Sequence, residues 1–285
     1  MLRAMNREDA SAAGAVRRAL PAIARAVDAA AQALRNGGRL FYLGAGTSGR
    51  LAALDAAECP PTFGTPAKMV QAVLAGGRRA LTGATEGAED SASNGARDLA
   101  RRGVARGDVV VGITASGETP YVLGAIEYAK RRGVATIGIA SNRNSTLGRR
   151  ARIAIVIETG PEAITGSTRL KAGTAQKMVL NLLSTATMAR LGRVYDNWMI
   201  GVALTNRKLQ ARGLRILSDA SGAGVSQAAH ALRQSRHDLR VALIMLKAGV
   251  GAAEARRRLS LARGDLRRAL GGKSQAGLQI KWTNF

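Results

Sequence analysis

From about Gly14 to Leu34 the apolar positions recur at helical spacing, with Val16, Leu20, Ile23, Val27 and Ala31 on one face. This predicts an amphipathic helix, kinked or restarted at Pro21 and stopped by Asn36-Gly37-Gly38. The pattern then changes. Arg39-Leu40-Phe41-Tyr42-Leu43 is a short apolar run that passes straight into Gly44-Ala45-Gly46-Thr47-Ser48-Gly49. Leu51 to Ala57 reads as a helix ended by Pro60-Pro61, and Met69 to Ala75 as a second strand broken at Gly76-Gly77. Asp90 to Arg102 is helical, with Asp90 a candidate N-cap, and Asp108 to Ile113 is a third strand. That strand ends in Thr114-Ala115-Ser116-Gly117-Glu118-Thr119-Pro120, and a helix follows to about Arg132. Ala135 to Ala140 and Ile153 to Ile157 are further short apolar runs.

These runs are continuously apolar rather than alternating, which is the pattern of a parallel sheet covered on both faces. Strands alternate with helices, so the expected class is a doubly wound α/β fold. Beyond Lys171 the strands stop. A long helix over about Ala172 to Leu191 precedes another near Asn206 to Asp219, then short helices punctuated by Gly222, Gly224, Gly249, Gly251 and Gly264. The expected division is an N-terminal helix over 1–36, an α/β domain over 37–205, a small helical module over 206–270 and a loose tail over 271–285.

Composition changes this picture little. With 285 residues and 46% hydrophobic content the chain can bury a full core, and 3% aromatics means Ala, Leu, Val and Ile must build it. One cysteine, Cys59, excludes an internal disulfide and a cysteine-based metal cluster. Met1 to Asp9 is charged and lacks the apolar core of a signal peptide. No run approaches the roughly 18 uncharged apolar residues of a membrane span. The expected setting is the cytoplasm, away from membranes. The formal charge of +24 suggests either a polyanionic partner or solvated arginine-rich helix faces. The arginines are scattered through helical segments without interleaved aromatics or a nucleic-acid motif, so nucleic acid is not expected as a partner.

Chemistry concentrates where open parallel sheets place it, at the carboxyl ends of strands. Gly44 to Gly49 matches G-x-G-x-x-G, but the second strand ends in Gly76-Gly77-Arg78-Arg79, without the acidic residue a dinucleotide ribose calls for. The second loop supplies Thr114, Ser116 and Thr119 with Gly117 among them. Two hydroxyl-rich loops, each leading into a helix N-terminus, can surround one phosphate with hydroxyls and backbone N–H groups. Neither carries a Walker lysine, so a phosphorylated small molecule fits better than a nucleoside triphosphate. The only histidines, His230 and His237, lie in the C-terminal module, which leaves acid–base work in the α/β part to carboxylates. Glu58, before Cys59-Pro60-Pro61, and Glu89, in Glu86-Gly87-Ala88-Glu89-Asp90, stand out by position, with Asp55 and Glu118 close behind. On the residues alone each can equally be a helix cap or a solvated charge.

Several blocks resemble a known family. LGAGTSGRLAALDAAECPPTFG (Leu43 to Gly64), EGAEDS (Glu86 to Ser91), ASGETPYV (Ala115 to Val122), ITGSTRLKAGTAQKMVLN (Ile164 to Asn181) and TNRKLQAR (Thr205 to Arg212) are similar to the N-acetylmuramic acid 6-phosphate etherases. The resemblance spans about Asn6 to Leu270. It implies a sugar isomerase (SIS) fold and a lyase that removes D-lactate from a phosphorylated amino sugar without a cofactor. It also implies Glu58 as proton donor, Glu89 as the second catalytic carboxylate, and Thr47, Ser48, Ser116 and Thr119 as phosphate ligands. Ser167, Arg169 and Lys171 become candidates for lining the same pocket. Catalytic carboxylates need a pKa near working pH, so partial burial or like-charge coupling is expected at Glu58 or Glu89. Glu118 stands where the family usually has arginine, and Thr114 where it has a smaller residue. A straight helix from Ser48 would carry Glu58 about 15 Å along its axis, farther than one hexose spans. Either that helix breaks early, or the protein is a homodimer whose sites are shared. A non-catalytic phosphosugar sensor and a phosphosugar isomerase remain the alternatives.

Overall fold

The computed structural model describes residues 1–83, 85–202, 204 and 206–272. The chain gathers into two compact units, one of residues 1–57 with 67–185, the other of residues 58–66 with the chain from Ala186 on. The stretch expected to be a loose tail lies outside the described residues from 273 onward.

The first unit is built on five parallel strands, β1 (Leu40–Gly44), β2 (Val70–Leu74), β3 (Val109–Ile113), β4 (Ala135–Ala140) and β5 (Ile153–Val156), in the order β2-β1-β3-β4-β5. Every residue of β1 and β3 is buried, which is why both read as unbroken apolar runs. The helices of this unit are α1 (Leu2–Arg35), α3 (Ala92–Arg101), α4 (Pro120–Arg131) and α5 (Thr146–Arg150), together with most of α2 (Gly46–Phe63) and α6 (Lys171–Arg190). The doubly wound α/β expectation holds.

Two helices differ from the reading of the sequence. α1 begins at Leu2 rather than Gly14 and passes through Pro21 without a stop. Proline inside a helix costs about 3 kcal/mol. Buried Ala19, Ile23, Ala26, Val27 and Ala30 on both sides of it hold the helix to the sheet and offset that loss. α2 likewise continues through Pro60 and Pro61 to Phe63. Both prolines fall in its last turns, so only the carbonyls of Ala56 and Ala57 lose their helical donors. The helix ends instead at Gly64, whose φ of +61° is left-handed and whose N–H closes on the Pro60 carbonyl at 2.9 Å.

The second unit carries α7 (Arg207–Ser221), α8 (Val225–Gln234), α9 (Leu239–Ala248), α10 (Ala252–Leu261) and α11 (Leu266–Ala269) around Leu217, Leu232, Leu243, Ile244 and Leu266. Asn206, Asp238 and Asp265 cap three of these helices by accepting backbone N–H groups. The end of α2 belongs here because Arg193 donates to the Phe63 and Gly64 carbonyls at 2.8 and 3.0 Å. A Cβ on Gly64 would stand 2.3 Å from the Gly201 carbonyl oxygen, so the backbones are in contact there. The Glu58 end of α2 is thereby anchored to residues 193–201.

The tightest crossing in the first unit is between α3 and α4. A Cβ on Gly95 would lie 1.9 Å from the Tyr121 carbonyl oxygen, and one on Gly124 would lie 2.1 Å from that of Ala92. Only hydrogen fits at either place. Gly124→Ala should therefore lower stability by about 1–3 kcal/mol, measured by denaturant unfolding. Unchanged stability would mean the helices can separate without loss.

Candidate active site

The strand order places the two hydroxyl loops together. From β1 the chain crosses outward to β2 and then returns to the opposite side of β1 as β3, with Leu40 opposite Val109 and Gly44 opposite Ile113. The loops 44–49 and 114–119 thus leave adjacent parallel strands at their carboxyl ends, at the switch point where such sheets bind ligands.

The first loop is a strand turning directly into a helix. α2 starts at Gly46, so Thr47 and Ser48 occupy its first turn, where backbone N–H groups lack helical partners. The turn is tight, because a Cβ on Gly49 would lie 2.6 Å from the Gly44 carbonyl oxygen. Gly46 has a different reason to be glycine, namely its φ of +52°. Ser48 is buried and donates to Gln176 Oε1 of α6 at 2.8 Å.

In the second loop, buried Thr114 links the other two hydroxyls. Its Oγ1 lies 2.8 Å from Thr119 Oγ1 and 3.2 Å from Ser116 Oγ. Thr119 occupies the N-cap of α4 without spending its side chain on the cap. Ser116 is exposed, and its hydroxyl accepts the Glu118 N–H at 3.1 Å. The Glu118 carboxylate accepts the Thr146 N–H at 2.7 Å. Hydrogen bonds from Thr146, with Arg149 and Arg150 nearby, hold it below the usual carboxylate range. Its negative charge is engaged by α5 rather than left loose beside an anion.

Glu89 lies in the connection from β2 to α3, and that connection is pinned at both ends. Arg50 of α2 donates to the Ala80 and Gly83 carbonyls at 2.9 and 2.7 Å. The Glu89 carbonyl accepts the Tyr121 N–H at 3.0 Å, two residues after Thr119. The N-cap of α3 is Ser91, whose hydroxyl accepts the Asn94 N–H, in place of the expected Asp90. Glu89 is therefore brought to the start of α4, beside the second loop. Glu58 belongs to the other compact unit. Both carboxylates are exposed in the single chain, so the burial expected at one of them is not found there. For Glu58 the reason is its register on α2, whose buried positions from Ala52 on are Ala52, Asp55, Ala56, Cys59 and Phe63.

Of the remaining candidates, Ser167 is half-buried and Arg169 exposed, and among the described residues neither side chain is hydrogen-bonded to the two loops. Lys171 is buried, and its ammonium is spent on Glu8 of α1. Glu162 accepts the Lys171 and Ala172 N–H groups at 3.0 and 2.9 Å and so caps α6. Lys171 thus ties α1 to α6 instead of presenting its charge to a ligand.

Asp55 is the titratable group that the sequence underrated. It is buried, accepts from Ser184 Oγ at 3.0 Å, and is hydrogen-bonded by the Tyr42 hydroxyl. Burial raises its pKa from 3.8 to about 6, against the opposing pull of those hydroxyls and Lys177. Its signal was present in the helical spacing, since Ala52, Asp55, Ala56 and Cys59 recur on one face. With Ser48–Gln176 it forms a polar seam along α2 and α6.

An α/β unit of five parallel strands in this order, with its loops opening at the switch point, has the fold of the SIS class, and the comparisons agree. Residues 22–130 match the glucokinase regulatory protein N-terminal SIS domain, and residues 91–186 match the SIS domain. A Bacteroides fragilis structure, of a candidate phosphosugar isomerase involved in capsule formation, aligns with a TM-score of 0.50 at 20% identity over 66% of this chain and 88% of that one. That likeness concerns the fold. At the level of family, the chain is 51% identical over 270 residues to the N-acetylmuramic acid 6-phosphate etherase of Geobacillus thermodenitrificans. It is 52% identical over 270 residues to that of Yersinia pestis strain Pestoides F. Each alignment covers 95% of this chain and 92% of the relative. The chain belongs to the N-acetylmuramic acid 6-phosphate etherase family.

The Asp55 seam has a measurable consequence. A carboxyl whose folded pKa exceeds its unfolded value stabilises the fold below the unfolded value, and that contribution is lost as pH rises through the folded one. Here the window runs from about pH 4 to 6, and a shift of about 2 units corresponds to about 3 kcal/mol. Asp55→Asn should remove this dependence, so that wild type loses stability relative to the variant as pH rises from 4 to 7 in urea unfolding. A constant difference across that range would show that Asp55 ionises in the fold as it does in water.

Proposed function

We propose that this protein is an N-acetylmuramic acid 6-phosphate etherase, which converts its substrate to N-acetylglucosamine 6-phosphate and D-lactate in cell-wall amino-sugar recycling. The observation that carries the reading is identity of about half of all residues with etherases along nearly the whole chain, with carboxylates at 58 and 89. The two adjacent loops suit the phosphate: Thr47 and Ser48 in the first turn of α2, Ser116 and Thr119 at the start of α4.

In this reading the substrate reacts as the open-chain aldehyde, whose lactyl ether oxygen is β to the carbonyl. Glu89 takes the proton from the carbon next to the carbonyl. The carbon–oxygen bond then breaks, and Glu58 protonates the departing oxygen so that D-lactate leaves. Water then adds to the β carbon of the unsaturated aldehyde, its proton passing to a carboxylate, while the proton held by Glu89 returns to the carbon next to the carbonyl, which leaves a hydroxyl where the ether stood. All steps are proton transfers and need no cofactor. A cytoplasmic setting accords with this chemistry, and among the described residues no helix is long and apolar enough to cross a membrane.

We further propose a homodimer with shared sites. α2 is unbroken from Gly46 to Phe63, so the alternative of an early break in the helix loses its support. A second subunit could then bring Glu58 to its neighbour's phosphate loops. A phosphosugar sensor is the second reading, favoured by the match to the SIS domain of a regulatory protein.

Incubation with N-acetylmuramic acid 6-phosphate should release D-lactate, and Glu58→Ala and Glu89→Ala should each lower kcat by about 100-fold or more. Phosphosugar binding without lactate release would establish the sensor instead. Mixing Glu58→Ala subunits with Ser116→Ala/Thr119→Val subunits should recover about a quarter of wild-type activity on random pairing. No recovery would mean that each chain completes its own site.

A further inference from the structure

A concavity lies at the opposite end of the sheet. It has a volume of about 620 Å³ and is lined by α1, by the turn before β3 and by the first residues of β4 and β5. The phosphate loops leave the carboxyl ends of these strands, whereas this cavity sits at their amino ends. With about 3.3 Å per residue along the five residues of β3, roughly 16 Å of strand separates the two. It is not part of the site described above.

Its chemistry is that of an anion receptor. Arg25, Arg106 and Arg152 border it. Among the described residues Arg106 and Arg152 have no carboxylate partner, and Arg25 contacts only the Pro21 carbonyl of its own helix, at 3.4 Å. The one carboxylate in the lining, Asp108, is fully occupied. It accepts from the Arg39 N–H, Nε and guanidinium at 2.8, 3.2 and 2.7 Å, and from the Ala105 N–H at 2.9 Å. The terminal carbonyls of α1 are taken by the N–H groups of Asn36 and Gly38. Three exposed arginines therefore border the cavity, and the one carboxylate of its lining is already neutralised. Ala29, Ala33, Ala135, Ile137 and Ile153 give it an apolar floor.

We propose that this cavity is a second ligand site for a small organic di- or triphosphate. Its phosphates would lie on Arg25, Arg106 and Arg152, with its organic part against the floor. Guanidinium groups bind phosphate bidentately, and the volume falls in the range of small-molecule pockets. A single phosphate would neither fill the space nor match three cations.

ADP is a suitable probe, titrated calorimetrically into the full chain at about 0.15 M salt, where loose surface attraction is screened. Wild type should bind it, and Arg106→Ala/Arg152→Ala should weaken binding at least tenfold. Ala29→Phe, which fills the floor and leaves charge unchanged, should also weaken it. Arg215→Ala/Arg233→Ala, which removes two exposed arginines of the other unit, should bind as wild type does. Thermal melting of each variant confirms folding. The proposal is overturned if ADP does not bind, if the Arg215/Arg233 pair matters as much as the cavity pair, or if Ser116→Ala/Thr119→Val abolishes binding.

Discussion

The ladder between β1 and β3 is the constraint on which the site depends. Parallel pairing in register, from Leu40 opposite Val109 to Gly44 opposite Ile113, ends both strands at the same height. The two loops that follow are more than sixty residues apart in the chain, yet they open side by side. A slip of one residue would turn every side chain of one strand to the other face of the sheet. Complete burial of both strands, with helices on either side, makes such a slip costly. The alignment of Ser116 and Thr119 with Thr47 and Ser48 is thus inherited from strand packing and needs no contact between the loops themselves.

Around that ladder, polar groups are placed with little slack. Ser48 and Asp55 lie seven residues apart on α2, and their partners Gln176 and Ser184 lie eight apart on α6. Two helices that run in the same direction are thereby keyed to each other at two levels. Asp55 is held in this seam at the expense of its charge, which is why burial dominates its ionisation. Glu89 is positioned differently, through its backbone. The glycine crossing of α3 and α4 brings the helices to van der Waals contact, and the Glu89 carbonyl meets Tyr121 as a result.

Much of this was readable in the chain. Continuous apolar runs such as Asp108 to Ile113 announced a parallel sheet, and the glycine- and hydroxyl-rich runs 44–49 and 114–119 announced strand-to-helix loops at its carboxyl ends. Local spacing could not reveal what depends on distant partners. Gly14 looked like the natural start of a helix, but the turns before it are retained through Glu8 and Lys171. Pro60-Pro61 looked like a stop, but in a last turn they sacrifice few hydrogen bonds. Lys171 stood as a candidate for lining the pocket through the resemblance of its block to the family, and only the folded chain shows its ammonium engaged by Glu8. The exposure of Glu58 was equally hidden, since the residue lies one position off the face that carries Asp55 and Cys59.

The Glu8–Lys171 pair also bears on how the protein is made. Its partners are 163 residues apart. At about 5–20 residues per second of synthesis, the first turns of α1 wait roughly 10–30 s before Lys171 exists. Alanine-rich and amphipathic, they spend that interval outside the ribosome without the contact that secures them. A nascent chain of this design stays open to chaperones and proteases at its amino end until α6 emerges, and the first turns of its earliest helix are secured only after all five strands have been made.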